Sequence, residues 1–487
     1  MSEKNKPTEE QAAIVDHFRK GNSFKISAFA GSGKTSTLKL LGEKYPKTKC
    51  CYLAFNRIIA DEAKSKFPKN VHCQTFHSLA FHSVPKFLSD RTRGGQNMPR
   101  SIARDFRLFA TDLPLKQNPQ KTGVLTEWDQ GMVLIRAVDN FCRSSDKQLK
   151  VSHVIKALPK WADMEKSFNY ASQMVSAAQT YWEMCTNPKY DFKISHDVYL
   201  KYWSLQTPII PADTIFLDEA QDADPIMLNI LKSQDSQIVL VGDKYQQIYE
   251  FRGATNAMQS VRIPEFYLTK SFRFGQEIAD VANLVLNKIL GEKKRIVGNE
   301  LISSSVDIVS APDAILARTN ASAFEMALAC AQSNIRPKVE VDAKQIIQLI
   351  DDCEKLQAGK QVTTNSPFFG FDSWGEVEMY VEFNEQADFA PFVRLVQKSD
   401  IQMLRHIVSN MANPSDYDVV ILTAHKSKGM QYNKVQLLGD FKYSLEPDKE
   451  FVTDDEARLI YVAGTRAIET LDISEMQDFY NMARILR

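Results

Sequence analysis

Cysteine is scarce in this sequence of 487 residues: there are seven, an odd number, and no two of them are spaced as C-x-x-C. This usage argues against a disulfide scaffold and against a zinc or iron–sulfur centre. Apolar runs that approach the roughly 18 residues of a membrane-spanning helix are also lacking. The first residues, MSEKNKPTEEQ, contain no apolar segment typical of a secretion signal. We therefore expect a cytoplasmic protein with no membrane partner.

Net charge is absent as well, since 60 Lys and Arg balance 60 Asp and Glu. A uniformly basic surface for nucleic acid is thus excluded, although a local basic face is not. Residues 1–125 hold 22 basic and 10 acidic residues, an asymmetry typical of a segment that meets a polyanion. A solvated surface explains that asymmetry equally well.

The composition is globular, with 44% apolar and 25% charged residues, and the length predicts roughly three domains. Residues 1–85 and 206–270 alternate short apolar runs with helical patterns, whereas residues 86–205 show long helical patterns. Residues 271–487 form a second α/β region. The four tryptophans of the helical region are expected in its core. Strands are predicted at 24–29, 214–217, 237–241, 314–317, 419–423 and 435–438, and a loop at 361–374.

A glycine-rich loop follows the first predicted strand. Residues 28–35 read A-F-A-G-S-G-K-T and differ from the phosphate-binding pattern G-x-x-x-x-G-K-[ST] only at Ala28. Glycines let backbone N–H groups converge on phosphate oxygens, and the start of the next helix adds partial positive charge. Lys34 can reach the β- and γ-phosphates, and the Thr35 hydroxyl can ligate Mg²⁺. A fortuitous glycine-rich turn is the alternative.

Paired acids follow a later strand, where residues 214–217 lead into Asp218 and Glu219. Ligands bind at the carboxyl ends of the strands in open α/β sheets. Asp218 is expected to hold Mg²⁺, directly or through water, and Glu219 to orient and deprotonate the attacking water. An acidic helix cap would explain one carboxylate but not the whole run D-E-A-Q-D. Together with the loop, these acids predict an NTPase.

The glycine-rich loop and the paired acids, together with further segments in the same order along the chain, resemble the motifs of the superfamily 1 DNA helicases of the UvrD/Rep/PcrA type over about residues 1–85 and 206–487. Gln11 resembles the glutamine of their Q motif, which reads the adenine edge. A-F-N-R-I-I-A-D-E-A-K and T-A-H-K-S-K-G-M-Q-Y are most similar to the F-box DNA helicase branch, although no F-box is seen. The other matching segments are L-A-F-N at 53–56, Q-T-F-H at 74–77, V-G-D-K-Y-Q-Q-I-Y at 241–249, F-R-G-A at 251–254, S-F-R-F at 271–274, T-A-H-K-S-K-G-M at 423–430 and R-L-I-Y-V-A-G-T-R-A at 458–467.

The resemblance implies roles for individual residues, with core packing as the rival for each lone aromatic or histidine. Asp218 and Thr35 hold the metal. The residues implied in catalysis are Glu219, Gln246, Arg273 and Arg466. The residues implied in ATP binding are Gln11, Ala30, Gly31, Ser32, Gly33, Lys34, Thr35 and Phe272. The residues implied in DNA binding are Phe55, Thr75, His77, Tyr249, Phe251, Arg252, Thr423 and His425.

The fold implied is α/β, with two RecA-like parallel-sheet P-loop NTPase domains. Domain 1A covers 1–85 and 206–270, a helical 1B-like insertion covers 86–205, and domain 2A covers 271–487. Because 150 residues separate Arg273 from Thr423, the 2B subdomain is expected to be absent or a remnant within about 340–410.

The function implied is an ATP- and Mg²⁺-dependent helicase or translocase moving 3′-to-5′ on single-stranded DNA, in repair, recombination or replication. Its expected partners are single strands, strand–duplex junctions and a nuclease or repair factor. The alternative is a nucleic-acid-stimulated ATPase that serves as motor or sensor subunit of a defence or repair complex.

Overall fold

The computed structural model describes residues 6–92, 97, 99–116, 120–248, 256–340, 343–363, 366–383, 389–398, 401–410, 416–442 and 453–485. Contacts divide these residues into two compact units. The first lies within Met1–Ile26, Thr35–Gly242 and Tyr249–Phe266, and the second within Ser27–Lys34, Asp243–Ile248 and Tyr267–Arg487.

The strands follow one another along the chain with helices between most of them. They are β1 (Phe24–Ala28), β2 (Cys50–Ala54), β3 (Val71–Thr75), β4 (Thr111–Pro114), β5 (Thr122–Leu125), β6 (Thr214–Leu217), β7 (Gln237–Gly242), β8 (Glu265–Leu268), β9 (Ser305–Val306), β10 (Ala314–Ala317), β11 (Pro337–Glu340), β12 (Val419–Thr423), β13 (Tyr432–Leu437) and β14 (Ala467–Asp472).

The helices include two with complete capping boxes, in which Thr8 caps the first and Thr126 the seventh. In chain order, the helices are α1 (Glu9–Phe18), α2 (Lys34–Lys44), α3 (Arg57–Lys66), α4 (Phe76–Ser83), α5 (Lys86–Asp90), α6 (Pro99–Asp105), α7 (Glu127–Arg143), α8 (Val151–Ile155), α9 (Phe168–Thr186), α10 (His196–Ser204), α11 (Pro225–Lys232), α12 (Ala257–Ser260), α13 (Gln276–Leu284), α14 (Asn320–Gln332), α15 (Ala343–Gln357), α16 (Trp374–Phe383), α17 (Ala390–Lys398), α18 (Ile401–Asn410), α19 (Asp454–Gly464) and α20 (Gln477–Ile485).

The first sheet has the strand order β3-β2-β6-β7-β1-β8. Its neighbours β3, β2, β6 and β7 pair in parallel. Strands β1, β2 and β6 are buried at every residue, which explains their continuous apolar sequences, because both faces of a parallel sheet are covered. The parallel register brings the carboxyl ends of these strands to one edge, and Phe55, Asp218 and Asp243 directly follow three of them.

Helices α7, α9 and α10 belong to the region between β3 and β6 and share a hydrophobic core with that sheet. Thr126 and Asp129 cap the start of α7 reciprocally. The core includes Phe141 and Trp203, together with Leu53 and Ile215 from the strands. Trp161 and Trp182 pack against it, so the predicted core position is confirmed for these three tryptophans, whereas the fourth, Trp128, is half-buried and is not part of the core described here.

The second sheet has the order β11-β12-β10-β13-β14-β9, and all of its pairs are parallel. Two parallel sheets with intervening helices confirm the predicted α/β class. Helices α15 to α18 build a core around Phe368, Trp374 and Phe392, to which α14 contributes Ala321, Phe324 and Leu328. This helical group lies where the sequence analysis expects a 2B remnant, and that assignment stays a prediction. No helix in the described ranges combines the length and apolar character needed to cross a membrane.

Candidate functional site

Predicted site residues lie in both units. The loop between β1 and α2 turns at two glycines. Gly31 and Gly33 have φ angles of 71° and 81°, a left-handed conformation that glycine adopts without steric cost. A side chain at Gly31 would also lie 2.7 Å from Cβ of Arg273. The Ser32 hydroxyl donates to the carbonyl of Phe29 at 2.7 Å. The chain therefore reaches the start of α2 in the tight curve that phosphate binding requires.

In the first unit, Asp218 meets Thr35. The Thr35 hydroxyl donates to Oδ2 of Asp218 at 3.3 Å, and the Tyr52 hydroxyl donates to the same oxygen at 2.6 Å. Burial and the negative charge of Asp218 raise the pKa of Tyr52, so this phenol stays a neutral donor. Hydroxyl and carboxylate oxygens are hard ligands, and Mg²⁺ takes one or two protein oxygens besides phosphate oxygens and water. The two predicted metal ligands therefore lie together.

Glu219 has a left-handed backbone, with φ 51° and ψ 42°. Its N–H donates to Oδ1 of Asp218 at 2.9 Å, and Nε2 of Gln221 donates to its Oε2 at 2.6 Å. For a residue with a Cβ this conformation costs about 1–2 kcal/mol, and such strain concentrates at functional sites. The residue that the sequence assigns to water activation is thus fixed at its backbone N–H by Asp218 and at its carboxylate by Gln221.

In the second unit, a buried tyrosine joins two predicted motifs. The Ala30 N–H donates to the Tyr461 hydroxyl at 2.9 Å, and that hydroxyl donates to Oδ2 of Asp243 at 2.8 Å. Burial raises the pKa of Asp243, while the charge of Lys34 and the bond from Tyr461 oppose the rise. The sequence analysis assigns no role to Tyr461 or Asp243, since a tyrosine within the apolar pattern of α19 resembles a core residue.

Gln246 and Arg273 are both held by hydrogen bonds within the second unit. Nε2 of Gln246 donates to Asp243 at 2.8 Å, and the Gln246 carbonyl accepts from Nζ of Lys428 at 2.6 Å. Arg273 donates to the carbonyl of Thr465 at 2.9 Å. Segments 243–246, 271–274, 423–430 and 458–467 thus form one bonded network with the glycine-rich loop.

Arg466 is a buried side chain, with only 1% of its surface exposed. Its guanidinium donates to the carbonyls of Val462 at 2.8 Å and Met430 at 3.3 Å, and to the Thr465 hydroxyl at 3.2 Å. A surface arginine in a solvent-exposed ion pair is therefore excluded.

Gln11 and Phe272 carry the predicted contacts with the base. Gln11 is buried in the first unit, where its Nε2 donates to the Thr37 hydroxyl at 3.0 Å. Phe272, in the second unit, keeps 46% of its surface exposed, and its N–H donates to the carbonyl of Gly31 at 2.8 Å. An exposed ring fixed through its backbone is suited to stacking.

The nucleic-acid candidates of the first unit follow β2 and β3. Phe55 is 41% exposed, and the residue before it, Ala54, pairs with Thr75 across the strands. The Thr75 hydroxyl caps α4 through the Ser78 N–H. His77 lies 2.9 Å from Oδ1 of Asp197. The structure therefore brings Phe55 and Thr75 to one edge, while His77 pairs with the helical region.

Thr423 and His425 follow β12 in the second unit. The Thr423 hydroxyl accepts from the Lys426 N–H at 3.4 Å. Burial lowers the pKa of His425, the charge of Arg318 lowers it further, and Glu456 opposes the shift. Arg318 itself donates to Glu456 at 3.0 Å. Tyr249, Phe251 and Arg252 lie outside the described residues.

Two models of known protein families match this sequence. The UvrD/REP helicase N-terminal domain matches residues 7–262, and the UvrD-like helicase C-terminal domain matches residues 212–478. The chain belongs to the UvrD/Rep helicase family. Both the predicted family and the predicted fold class are therefore confirmed.

Relatives of this UvrD/Rep helicase chain come from distant organisms. F-box DNA helicase 1 of Gallus gallus is 30% identical over 96% of this chain and 49% of the relative. F-box DNA helicase protein 1 of Schizosaccharomyces pombe is 27% identical over 96% and 57%, and DNA helicase IV of Escherichia coli is 25% identical over 56% and 46%. The chain thus spans about half the length of the curated relatives it matches.

The described part of this chain contains no cluster of three or more His, Cys, Asp or Glu able to hold a metal by itself. A pair such as Thr35 and Asp218, 3.3 Å apart, fits instead a Mg²⁺ ion that arrives with a nucleotide and keeps phosphate and water ligands. The left-handed glycines and the start of α2 fit the phosphates of that nucleotide.

Proposed function

We propose that this chain is an ATP-dependent helicase or translocase that moves 3′-to-5′ on single-stranded DNA. The observation that carries the proposal is the Thr35–Asp218 pair at 3.3 Å with the strained Glu219 beside it. This pair would hold Mg²⁺, which neutralises phosphate charge when it is bound.

ATP is the proposed substrate. Lys34 and the loop amides of residues 31–33 would bind its phosphates, Gln11 its adenine edge and Phe272 the face of its ring. Glu219 would take a proton from the attacking water, because its carboxylate is fixed by Gln221 at 2.6 Å. Arg273, Gln246 and Arg466 would stabilise the charge that develops on the transferred phosphoryl group.

Single-stranded DNA is the proposed track. Phe55 offers an exposed ring for base stacking, which is worth about 1–3 kcal/mol per base and tolerates any sequence. Thr75, His77, Thr423 and His425 would contact the strand or couple it to ATP turnover, as would Tyr249, Phe251 and Arg252. The salt dependence of binding should be steep, since phosphate contacts release counterions. DNA repair, recombination or replication is the proposed setting.

The proposal is tested with 3′-tailed, 5′-tailed and blunt duplexes incubated with ATP and Mg²⁺. We expect strand displacement with the 3′ tail alone. Lys34→Ala is the control, because it should bind single strands but displace none. Displacement from the 5′ tail would overturn the polarity, and wild-type ATP hydrolysis by Lys34→Ala would overturn the nucleotide site.

The same assay decides a second candidate function, an ATPase motor or sensor subunit of a larger complex. The helical group α15 to α18, which shares one core with α14, favours this candidate, because a small extra subdomain leaves room for a protein partner such as a nuclease. ATP hydrolysis stimulated by single-stranded DNA without strand displacement would support it.

A further inference from the structure

We propose that Thr37 is a positioning residue that fixes the amide of Gln11 and thereby sets a preference for adenine over guanine nucleotides. This inference rests on the proposed function, in which Gln11 contacts the nucleotide base. It concerns a residue of α2 that lies outside the phosphate-binding pattern, and the hydrogen bonds that carry it lie within the first unit.

Gln11 is held at both ends of its side-chain amide. Its Oε1 accepts from the Thr8 N–H at 3.0 Å, and its Nε2 donates to the Thr37 hydroxyl at 3.0 Å. The backbone of Gln11 is fixed as well, because its N–H donates to the Thr8 hydroxyl at 3.2 Å. Thr37 is fully buried. The amide is therefore restrained by one backbone group and one buried hydroxyl.

Thr8 and Thr37 restrain the Gln11 amide in different ways. A backbone N–H can only donate, so the Thr8 N–H requires the oxygen of the amide to face it. The NH₂ group then points to the Thr37 hydroxyl, which has lone pairs to accept it. Thr8 thus chooses which end of the Gln11 amide faces where, and Thr37 fixes the plane in which the amide lies.

The hydrogen-bonding groups of the Gln11 amide that Thr8 and Thr37 do not use match one base. A primary amide has two N–H donors and two acceptor lone pairs on its oxygen. Thr37 takes one donor and Thr8 one lone pair, so one donor and one acceptor remain side by side. Adenine presents an N6 donor next to the N7 acceptor, to which glutamine binds in a bidentate manner, whereas guanine presents the two acceptors O6 and N7. A fixed amide therefore accepts adenine and rejects guanine.

Removing the Thr37 hydroxyl takes away the acceptor that fixes the plane of the amide, and the substitution changes no residue of the phosphate-binding pattern itself. Valine has nearly the shape of threonine but no acceptor, so Thr37→Val leaves the Gln11 NH₂ group free to rotate. Serine keeps the hydroxyl. The discrimination between ATP and GTP should follow the hydroxyl, whereas a role of Thr37 in packing alone should follow the shape of the side chain.

The experiment measures kcat/KM for ATP and for GTP, with saturating single-stranded DNA, in wild type, Thr37→Val and Thr37→Ser. We expect the ATP/GTP ratio to fall about tenfold in Thr37→Val, within the discrimination that one bidentate base contact supplies. It should stay within about twofold in Thr37→Ser. Thr186→Val is the matched control, because it removes a hydroxyl bonded at 3.0 Å to a helix carbonyl far from the loop in sequence.

Two further variants make the result decisive. Thr37→Ala repeats the test if valine prevents folding, since alanine favours the helix. In a Gln11→Ala background, Thr37→Val should change the ratio no further if Thr37 acts through Gln11. An unchanged ATP/GTP ratio in Thr37→Val and in Thr37→Ala, with an active wild type, would overturn this inference alone. A wild type that neither binds nor hydrolyses ATP would overturn the proposed function as well.

Discussion

Two aspartates, each directly after a strand of the first sheet, accept a hydrogen bond from a buried tyrosine but have different further partners. Asp218 accepts from Tyr52 at 2.6 Å and shares that oxygen with the Thr35 hydroxyl. Asp243 accepts from Tyr461 at 2.8 Å, and it also accepts from the Tyr245 N–H at 3.1 Å and from Nε2 of Gln246 at 2.8 Å. Asp218 therefore lies beside a second oxygen that could bind a cation, whereas Asp243 also accepts hydrogen bonds from nitrogen donors.

This difference separates two uses of a buried carboxylate. Oxygen atoms gathered around Asp218 suit a hard cation. Donors gathered around Asp243 compensate the cost of burying a charge and tie three segments together. We infer that the Asp218 region serves chemistry directly, whereas the Asp243 region serves it by holding the glycine-rich loop through Ala30.

The largest effect is expected at Glu219, next to Asp218. Glu219→Gln keeps the shape of the side chain but removes the base, so ATP turnover should fall about 10²–10⁴-fold. Binding of Mg²⁺ and ATP should persist, because Thr35 and Asp218 remain. The measurement is kcat with saturating single-stranded DNA, together with equilibrium binding of a fluorescent ATP analogue.

Glu265→Gln serves as the control for Glu219→Gln, since it neutralises a carboxylate 3.7 Å from Lys25 rather than one in the proposed site. Its turnover should match that of wild type. If Glu219→Gln lost nucleotide binding instead of turnover, the roles assigned to the two acids would be wrong.

An intermediate effect is expected from removing the hydroxyl of Tyr461 or of Tyr52, and the two variants should change different kinetic parameters. Tyr461→Phe leaves the Ala30 N–H and Asp243 without this partner, a loss worth about 1–3 kcal/mol. We expect kcat to fall about tenfold with an unchanged Mg²⁺ requirement. Tyr52→Phe should instead shift the Mg²⁺ concentration that gives half-maximal turnover.

Titration of turnover with Mg²⁺ distinguishes the two tyrosine variants. Tyr45→Phe is the control, because it removes a hydroxyl that donates to the carbonyl of Val15 at 2.9 Å away from both aspartates. The comparison would fail if Tyr461→Phe and Tyr52→Phe changed the same parameter by the same factor.

The smallest of these effects is the change in stability, rather than in turnover, that we expect for Arg466→Lys, which keeps the charge but cannot bond three groups in one plane. A loss of about 1 kcal/mol in stability should lower the melting temperature of the second unit by about 2–4 °C. Calorimetry measures this melting temperature. Arg295→Lys is the control, since Arg295 is exposed and its ion pair with Asp280 spans 3.6 Å. Equal melting temperatures in both variants would mean that the bonds of Arg466 contribute nothing.

Much of the fold follows from local sequence. Strand β6 lies where its apolar run predicts it, and α2 begins at Lys34. Such features depend on neighbouring residues and on the burial of both sheet faces. The expected loop at 361–374 is confirmed for its described residues 361–363 and 366–373, which form no helix or strand before α16 begins at Trp374.

The candidate site is less predictable, because many of its bonds join residues far apart in sequence. Ala30 and Tyr461 are 431 positions apart and Tyr52 and Asp218 are 166 apart. A buried tyrosine has the sequence pattern of a core residue, so nothing local reveals its hydroxyl partner. His77 shows the same limit, since its bond to Asp197 crosses 120 positions. Motif order identifies which segments matter, whereas the tertiary fold decides which atoms meet.

The left-handed backbone of Glu219 has a consequence for protein engineering. Glycine adopts this conformation freely, and asparagine tolerates it better than most residues. Replacing Glu219 by either would relieve strain, so a search that ranks variants by heat resistance alone would reward changes at this position. The same changes delete the carboxylate assigned to water activation. Selection for robustness in this chain would thus enrich inert molecules unless turnover is scored alongside melting.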